Sequence, residues 1–334
     1  MQILISFILP CYNVGRYIGD CLDSIYAQNL SEDEFEVICV NDCSTDDTRE
    51  VITSKQKMHG NLILLDQPRN MYSGAARNRG LDVAKGDYIW FVDADDKVKP
   101  DMAKHLLDMA YSDGLDILMF NYDEFSDDTP DRFNKVNDIF RNTQVMTGND
   151  FVVNEFNCNL SQLSLLWLRL FKRSLIEGNA IRFSDLYISQ DGPFAWETLL
   201  RAQRVKSISE RCHVYRANPQ SITAKKNTAK KAAVWSFQYP VVISKLASKV
   251  KGKVSERIVQ QLEANIRFEV NEFAKRYRNL PEEEKHAYYQ AMRNDKAWFE
   301  QFRSYLSRKN RLIYICGQLN EICFGTVVRL FLNS

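Results

Sequence analysis

The sequence lacks the patterns that mark a structural zinc site or a nucleic-acid binder. None of its eight cysteines forms a CxxC pair, and its four histidines are dispersed, so no zinc signature exists. Scattered cysteines within apolar runs are typical of small buried side chains in a reducing, cytosolic compartment. The 44 Lys and Arg balance the 43 Asp and Glu, whereas a dedicated nucleic-acid binder needs clustered excess positive charge.

Long apolar runs are missing from residues 1–300. The N-terminus up to Pro10 carries no Lys or Arg, and its apolar run is short. It therefore predicts neither a signal peptide nor a membrane-spanning helix. The chain does have the material for a core, since 45% of its residues are hydrophobic and 12% are aromatic, which argues against extensive disorder. Its 334 residues suggest about two domains, or one large domain with an extension.

Short apolar runs alternate with helix-like stretches over residues 1–120. Continuous apolar strands between helices predict a mostly parallel sheet covered on both faces, which is an α/β doubly wound fold. In such a sheet, ligands bind beyond the carboxyl ends of the strands. The predicted strands are Ile3–Leu9, Phe35–Val40, Leu62–Leu65, Tyr88–Val92 and Asp116–Phe120, and the predicted helices are Val14–Gln28, Asp46–Met58, Ser73–Lys85 and Pro100–Tyr111.

The main chemical signal is Asp93-Ala94-Asp95, directly after the fourth predicted strand. Side chains two positions apart on a strand share a face, so both carboxylates are expected to serve one ligand set. Oxygen ligands without His or Cys suit Mg²⁺ or Mn²⁺. The alternative is that Asp95 or Asp96 caps the helix predicted near Pro100.

Three other polar residues are candidates for binding or catalysis. Asp42 follows the second predicted strand, where it is placed to accept a hydrogen bond from a nucleobase. Arg77 follows small residues that open a helix, and its forked N–H donors suit a diphosphate, although a solvated helix face is the alternative. Asp191 directly precedes an amphipathic helix. It is a candidate general base for an acceptor hydroxyl, and an N-cap is the alternative.

Six ordered motifs together resemble family 2 glycosyltransferases of the GT-A fold. Their order, spacing and strand placement all agree, and the match covers about two thirds of the chain. The six motifs are Phe7–Asn13, Cys21–Ile25, Val40–Asp46, Ala76–Gly80, Ala84–Tyr88 and Phe91–Asp96, and the match continues through Trp167–Arg173, Ile181–Phe183, Gln190-Asp191, Tyr215-Arg216 and Ser221–Thr223.

The resemblance implies an inverting, metal-dependent transfer of a sugar from a nucleotide-sugar, commonly a UDP-sugar, to a hydroxyl of a glycan or lipid-linked acceptor. It implies that Tyr12 lines the base pocket, that Asp42 contacts the base and that Arg77 lies near the diphosphate. The implied donor-binding residues are Pro10, Tyr12, Asp42, Arg77 and Asp93. The implied ligands of Mg²⁺ or Mn²⁺ are Asp93 and Asp95, and the implied catalytic base is Asp191.

The sequence departs from the family pattern at three positions. Asn41 replaces a common acid, Cys43 replaces the usual Gly, and Gln190 replaces the usual Glu. These departures leave open a non-catalytic nucleotide-sugar-binding or scaffold protein of the same fold. A nucleotidyltransferase is disfavoured, because the loop after Leu9 holds no basic residue before Arg16.

The sequence predicts a catalytic GT-A domain over residues 1–225, a helical region over 226–310 and an amphipathic helix over 311–334. Basic residues precede this apolar last helix, so it is predicted to lie on an anionic membrane surface. The alternatives are docking on the protein's own core or on a second copy in a homo-oligomer. The predicted location is cytoplasmic, peripheral on the inner face of the plasma membrane, with no nucleic acid as partner.

Overall fold

The computed structural model describes residues 2–127, 129–217 and 228–332. These residues divide into two compact units, one within Met1–Asp185 and Gln190–Pro219 and the other within Leu186–Ser189 and Gln220–Ser334. The predicted domain boundary at residue 225 and the Ser221–Thr223 motif lie outside the described residues.

One mixed sheet forms the centre of the first unit. Its strands are β1 Ile5–Cys11, β2 Phe35–Asn41, β3 Leu62–Asp66, β4 Tyr88–Phe91, β5 Lys97–Val98, β6 Ile117–Ser126, β7 Thr129–Lys135, β8 Arg169–Lys172 and β9 Val205–Arg216. Within the described residues their order is β3-β2-β1-β4-β8-β6-β9-β5, and β7 pairs with β6. The first four strands are parallel, as predicted. The unpredicted strand β8 runs antiparallel to both β4 and β6, so β4 and β6 point the same way.

Helices accompany this sheet in the alternating order that the sequence predicts. They are α1 Gly15–Tyr26, α2 Thr48–Gln56, α3 Tyr72–Leu81, α4 Met102–Ser112, α5 Gly148–Phe156, α6 Arg173–Gly178 and α7 Asp191–Arg201. Helix α3 lies very close to β1, because a Cβ added at Gly80 would come within 2.5 Å of Cγ2 of Ile8. This approach fixes the helix that carries Arg77 against the centre of the sheet. The α/β fold class is therefore confirmed.

The second unit is helical. Its helices are α8 Ala229–Ala233, α9 Tyr239–Val250, α10 Glu256–Asn271, α11 Phe273–Asn279, α12 Glu282–Asn294, α13 Lys296–Phe302, α14 Arg308–Gly317 and α15 Glu321–Leu332, with a π-helical turn at Val234–Gln238. Helix α12 starts after Pro281 with three glutamates in its first turn, as predicted. Aromatic rings fill the core, including those of Phe237, Phe273, Tyr288, Trp298 and Phe324.

The C-terminal segment differs from the single helix predicted over 311–334. It forms the two helices α14 and α15, and the Asn320 side chain accepts a hydrogen bond from the backbone N–H of Cys323. Since this cap begins a new helix, the chain turns, and Phe324 becomes buried against Tyr277. In the part of the chain that the structure describes, no helix is long and apolar enough to cross a membrane.

Candidate active site

The acidic residues after β4 lie in a tight turn. The strand ends at Phe91, and the backbone N–H of Asp96 donates to the carbonyl oxygen of Asp93 at 3.0 Å. The expectation that Asp93 and Asp95 share the face of a strand was therefore wrong, because the backbone has already turned. Neither Asp95 nor Asp96 caps a helix, since α4 begins after Asp101. The side chains of Asp93 and Asp95 are half-buried.

Strand β9 holds this turn through buried contacts that the sequence did not predict. His213 Nε2 lies 2.8 Å from Oδ2 of Asp96, and the backbone N–H of Arg216 donates to Oδ1 of the same carboxyl group at 2.8 Å. The Arg216 guanidinium also donates to the backbone carbonyl of Asp95 at 2.6 Å. Burial raises the pKa of Asp96 and lowers the pKa of His213 to about 4. Burial thus disfavours the charged form of each partner, and the contact anchors the acidic turn to β9.

Arg77 connects the acidic turn with the start of α7. Its guanidinium donates to Oδ1 of Asp93 at 2.7 Å and to Oδ1 of Asp191 at 2.6 Å. The Arg77 side chain is only 4% exposed, so the solvated-face alternative is wrong. Asp191 is the first residue of α7 and follows the N-cap Gln190, so the N-cap alternative for Asp191 is wrong as well. The structure thus brings Arg77, Asp93 and Asp191 together.

The charges in this group influence one another. Burial alone would lower the pKa of Arg77, but Asp191 and Asp93 raise it above the ordinary arginine value. Burial raises the pKa of Asp191, Arg77 opposes that rise and Asp93 adds to it. Because the raised pKa prevails, the Asp191 carboxylate accepts a proton more readily than an ordinary aspartate does. Its side chain is 37% exposed, and no described residue hydrogen-bonds to its Oδ2 atom.

Asp42 fixes the beginning of α3. Its carboxylate accepts hydrogen bonds from the backbone N–H groups of Met71 and Tyr72, at 2.7 and 2.8 Å, and from the Gln67 side chain at 2.9 Å. Asp42 is buried, so its negative charge stabilises the N-terminus of the helix. The residue predicted to contact a nucleobase therefore also supports the helix that carries Arg77.

Pro10 and Tyr12 lie beside Asp42 at the carboxyl end of the sheet. Pro10 is half-buried in β1, opposite Val40 of β2. The backbone N–H of Asp42 donates to the carbonyl of Cys11 at 2.8 Å, which joins the two strand ends. Tyr12 follows β1 and is 44% exposed, so its ring is accessible at this edge.

The three departures from the family pattern have local explanations. Asn41 donates to Asp66 at 2.8 Å and accepts from the backbone N–H of Ser44 at 3.1 Å. Gln190 is buried and donates to the hydroxyl of Ser73 on α3. Cys43 has a φ angle of 61°, the left-handed conformation that favours glycine. The backbone thus keeps the shape that a glycine would allow.

The donor set of the acidic turn fits a hard divalent cation. Within the residues that the structure describes, no group of three or more His, Cys, Asp or Glu is placed to hold a metal. The half-buried side chains of Asp93 and Asp95 are carboxylates, the kind of oxygen donor that Mg²⁺ prefers. Mg²⁺ typically takes one or two carboxylates and completes its shell with water and substrate phosphates, so two half-buried carboxylates suffice.

About half of the chain matches a known protein family. Residues 6–165 match the sequence model described as glycosyl transferase family 2. The chain is 29% identical to the uncharacterized glycosyltransferase YibD of Escherichia coli over 259 residues, which cover 76% of this chain and 73% of YibD.

Two solved structures show the same fold. One is Staphylococcus aureus TarS 1–349 in complex with UDP-GlcNAc, with a TM-score of 0.64, 21% identity, and coverage of 99% of this chain and 92% of that one. The full-length TarS is a poly(ribitol-phosphate) beta-N-acetylglucosaminyltransferase. Its sequence is 28% identical to this chain over 217 residues, which cover 63% of this chain and 35% of TarS. The other is the mannosyltransferase PcManGT of Pyrobaculum calidifontis in complex with GDP-Man and Mn²⁺, with a TM-score of 0.53, 18% identity, and coverage of 96% and 88%.

The fold and the family match define the class as the glycosyltransferases. Residues 6–165 match glycosyl transferase family 2, and the chain is a glycosyltransferase with the GT-A fold. The resemblance predicted from the six motifs is confirmed.

Proposed function

We propose that this protein transfers a sugar from a UDP-sugar to a hydroxyl of a glycan or lipid-linked glycan, with inversion at the anomeric carbon. The observation that carries the proposal is the Arg77 guanidinium, which bonds Asp93 of the acidic turn and Asp191 of α7. A single residue thereby fixes the spacing between the leaving-group side and the acceptor side of the site. Inversion needs one base and no covalent nucleophile, which matches this set of residues.

The donor is held at the ends of β1 and β2. The exposed Tyr12 ring offers a surface for the uracil base, and Pro10 shapes the strand end beneath it. The Asp42 carboxylate already accepts three hydrogen bonds and has room for one more at most. The complex of the structurally similar TarS with UDP-GlcNAc supports a UDP-linked donor.

Asp93 and Asp95 would hold Mg²⁺ or Mn²⁺. Their half-buried carboxylates match the oxygen ligands that these cations prefer. When bound, the cation supplies positive charge at the diphosphate leaving group. The complex of PcManGT with GDP-Man and Mn²⁺ supports a divalent cation in this fold.

Asp191 acts as the general base. Its free carboxylate oxygen accepts the proton of the acceptor hydroxyl while that oxygen bonds to the anomeric carbon. The bond from this carbon to the UDP oxygen breaks at the same time, and its electron pair leaves with UDP. The raised pKa of Asp191 suits this role, because a stronger base removes the proton more effectively.

The acceptor is a growing surface glycan, free or lipid-linked, and the protein acts at the cytoplasmic face of the membrane. Similarity to TarS, named for transfer to poly(ribitol-phosphate), supports a polymeric acceptor.

The direct test is UDP release from a panel of UDP-sugars with Mn²⁺ or Mg²⁺ and glycan acceptors. We expect Asp191→Asn to lose turnover while it still binds donor, and Asp95→Asn to require far more cation. Asp185→Asn is the matched control, because Asp185 is exposed six positions before the base. The linkage formed is read by NMR, and retention of configuration would contradict the mechanism.

Calorimetry with UDP separates the proposal from its alternative. UDP binding without turnover on any acceptor would favour a non-catalytic nucleotide-sugar-binding protein. Full turnover in both Asp95→Asn and Asp191→Asn would overturn the assigned roles.

A further inference from the structure

Helices α14 and α15 carry a concentration of exposed apolar side chains. Among the described residues, five large apolar side chains on this hairpin are between 47% and 81% exposed, and they are Leu312, Ile315, Leu319, Ile322 and Leu330. We call these five residues the C-terminal apolar surface. Leu312 and Ile315 are three positions apart on α14, which places them on one face of that helix, and Leu319 lies in the connection between α14 and α15.

The opposite faces of the two helices are already occupied. Ile313 and Tyr314 of α14 are buried, as are Phe324 and Val328 of α15. Phe324 packs against Tyr277 with ring centroids 4.6 Å apart. The hairpin is therefore anchored in the second unit by one side, and its apolar surface is a separate, outward face.

Positive charge lies next to this surface. Residues 301–320 contain four basic side chains and no acidic one. Arg303, Arg308 and Lys309 are exposed, and Arg311 is half-buried. Lys309 lies with its Nζ 5.9 Å from the ring centroid of Phe331, which places a positive charge close to the end of α15. An apolar face with a basic border is complementary to lipid tails beneath anionic headgroups.

A second copy of the chain would be a poorer occupant. Two-fold symmetric contacts place the same patch of each subunit against itself. The basic border of one copy would then approach the basic border of the other. An anionic lipid surface would instead attract these basic side chains.

We propose that the C-terminal apolar surface and its basic border dock on an anionic lipid bilayer, with the hairpin lying in the interface. Helix α15 has 12 residues, about 18 Å in length, which is too short to cross the bilayer. This inference does not depend on the proposed transfer reaction.

The experiment is co-sedimentation of the full chain with vesicles of phosphatidylcholine alone or with 30% phosphatidylglycerol, at about 100 mM salt. We expect binding to the anionic vesicles and little binding to the neutral ones. Arg308→Gln with Lys309→Gln should weaken the partition coefficient roughly 30-fold, because two basic contacts are lost. Leu319→Ser with Ile322→Ser should weaken it roughly 100-fold, because two apolar side chains no longer enter the interface.

Matched controls change the same chemistry elsewhere in the second unit. Lys251→Gln with Lys253→Gln removes two exposed charges, and Phe268→Ser removes an exposed apolar side chain. Both should bind vesicles as the parent protein does. Far-UV circular dichroism and urea unfolding report whether each variant is folded.

Three outcomes would overturn the proposal. The first is that the parent protein does not bind anionic vesicles, and the second is that the control variants lose as much binding as the test variants. The third is that light scattering shows the parent protein to be a dimer, and that Leu319→Ser with Ile322→Ser makes it a monomer without changing its binding to vesicles.

Discussion

His213 Nε2 lies 2.8 Å from Oδ2 of Asp96, and both side chains are buried. The pKa of Asp96 is raised and that of His213 is lowered to about 4, in both cases mainly because burial disfavours the charged form. We therefore predict that Asp96 is neutral and donates its proton to the imidazole, while its other oxygen accepts from the backbone N–H of Arg216. This contact joins the acidic turn to β9.

Asn at position 96 can reproduce both hydrogen bonds of a neutral carboxyl group. We therefore expect Asp96→Asn to lower the free energy of unfolding by less than about 1 kcal/mol. His213→Ala removes a buried ring and leaves the carboxyl group without its partner, so we expect a loss of about 3 kcal/mol. Urea unfolding followed by tryptophan fluorescence measures both, since the Trp167 and His213 ring centroids are 4.6 Å apart. Equal losses in the two variants would indicate a charged Asp96.

The pH dependence of turnover tests the role of Asp191. Its raised pKa means that the carboxyl group stays protonated to a higher pH than an ordinary aspartate, and a protonated carboxyl cannot accept a proton. At saturating substrate we expect turnover to fall as the pH drops through this raised pKa and to reach a plateau above it. Donor binding, measured by calorimetry, should stay level over the same range. Asp191→Asn should be about 1000-fold slower, and its turnover should not show this fall at low pH.

The elements that the sequence predicted are those with local signals. Strands β1 to β4 are short apolar runs, and α1 carries Ile18, Cys21, Leu22 and Ile25 at helical spacing on its buried face. The candidates Asp42, Asp93 and Asp191 were found because they follow strands or precede a helix. Each of these signals is contained in a few neighbouring residues, so the sequence alone carries it.

The parts that were missed depend on contacts between distant residues. His213 is 117 positions from Asp96, and Asp191 is 114 positions from Arg77. Strand β8 is four residues long and pairs between β4 and β6, which no local periodicity could indicate. The site could therefore be predicted as a set of residues, whereas the bridging role of Arg77 and the anchoring role of β9 required the fold.

The bridging role of Arg77 depends on the forked shape of its guanidinium. Arg77→Lys keeps the charge but lacks the two diverging donors, so we expect turnover to fall about 100-fold as the site loses its spacing. Arg77→Met removes the charge that opposes the raised pKa of Asp191. The fall in its turnover at low pH should therefore begin at a higher pH than in the parent protein. This shift should be larger in Arg77→Met than in Arg77→Lys.

Arg79 provides the control for these variants. It lies on the same helix but is exposed, so Arg79→Met should leave both turnover and the pH profile unchanged. If Arg77→Met kept the parent profile, Arg77 would not influence the ionisation of Asp191.

Cys43 stores backbone strain in the loop after β2. Its φ angle of 61° is unfavourable for any residue with a Cβ and costs glycine almost nothing. Cys43→Gly removes this strain but adds freedom to the unfolded chain, so we expect a net gain of about 0.5–1 kcal/mol in the free energy of unfolding. Cys43→Ala keeps the Cβ and removes only an exposed thiol, so its unfolding free energy should match that of the parent protein. Urea denaturation of the three proteins makes the comparison, and a glycine variant no more stable than the alanine variant would show that the loop is unstrained.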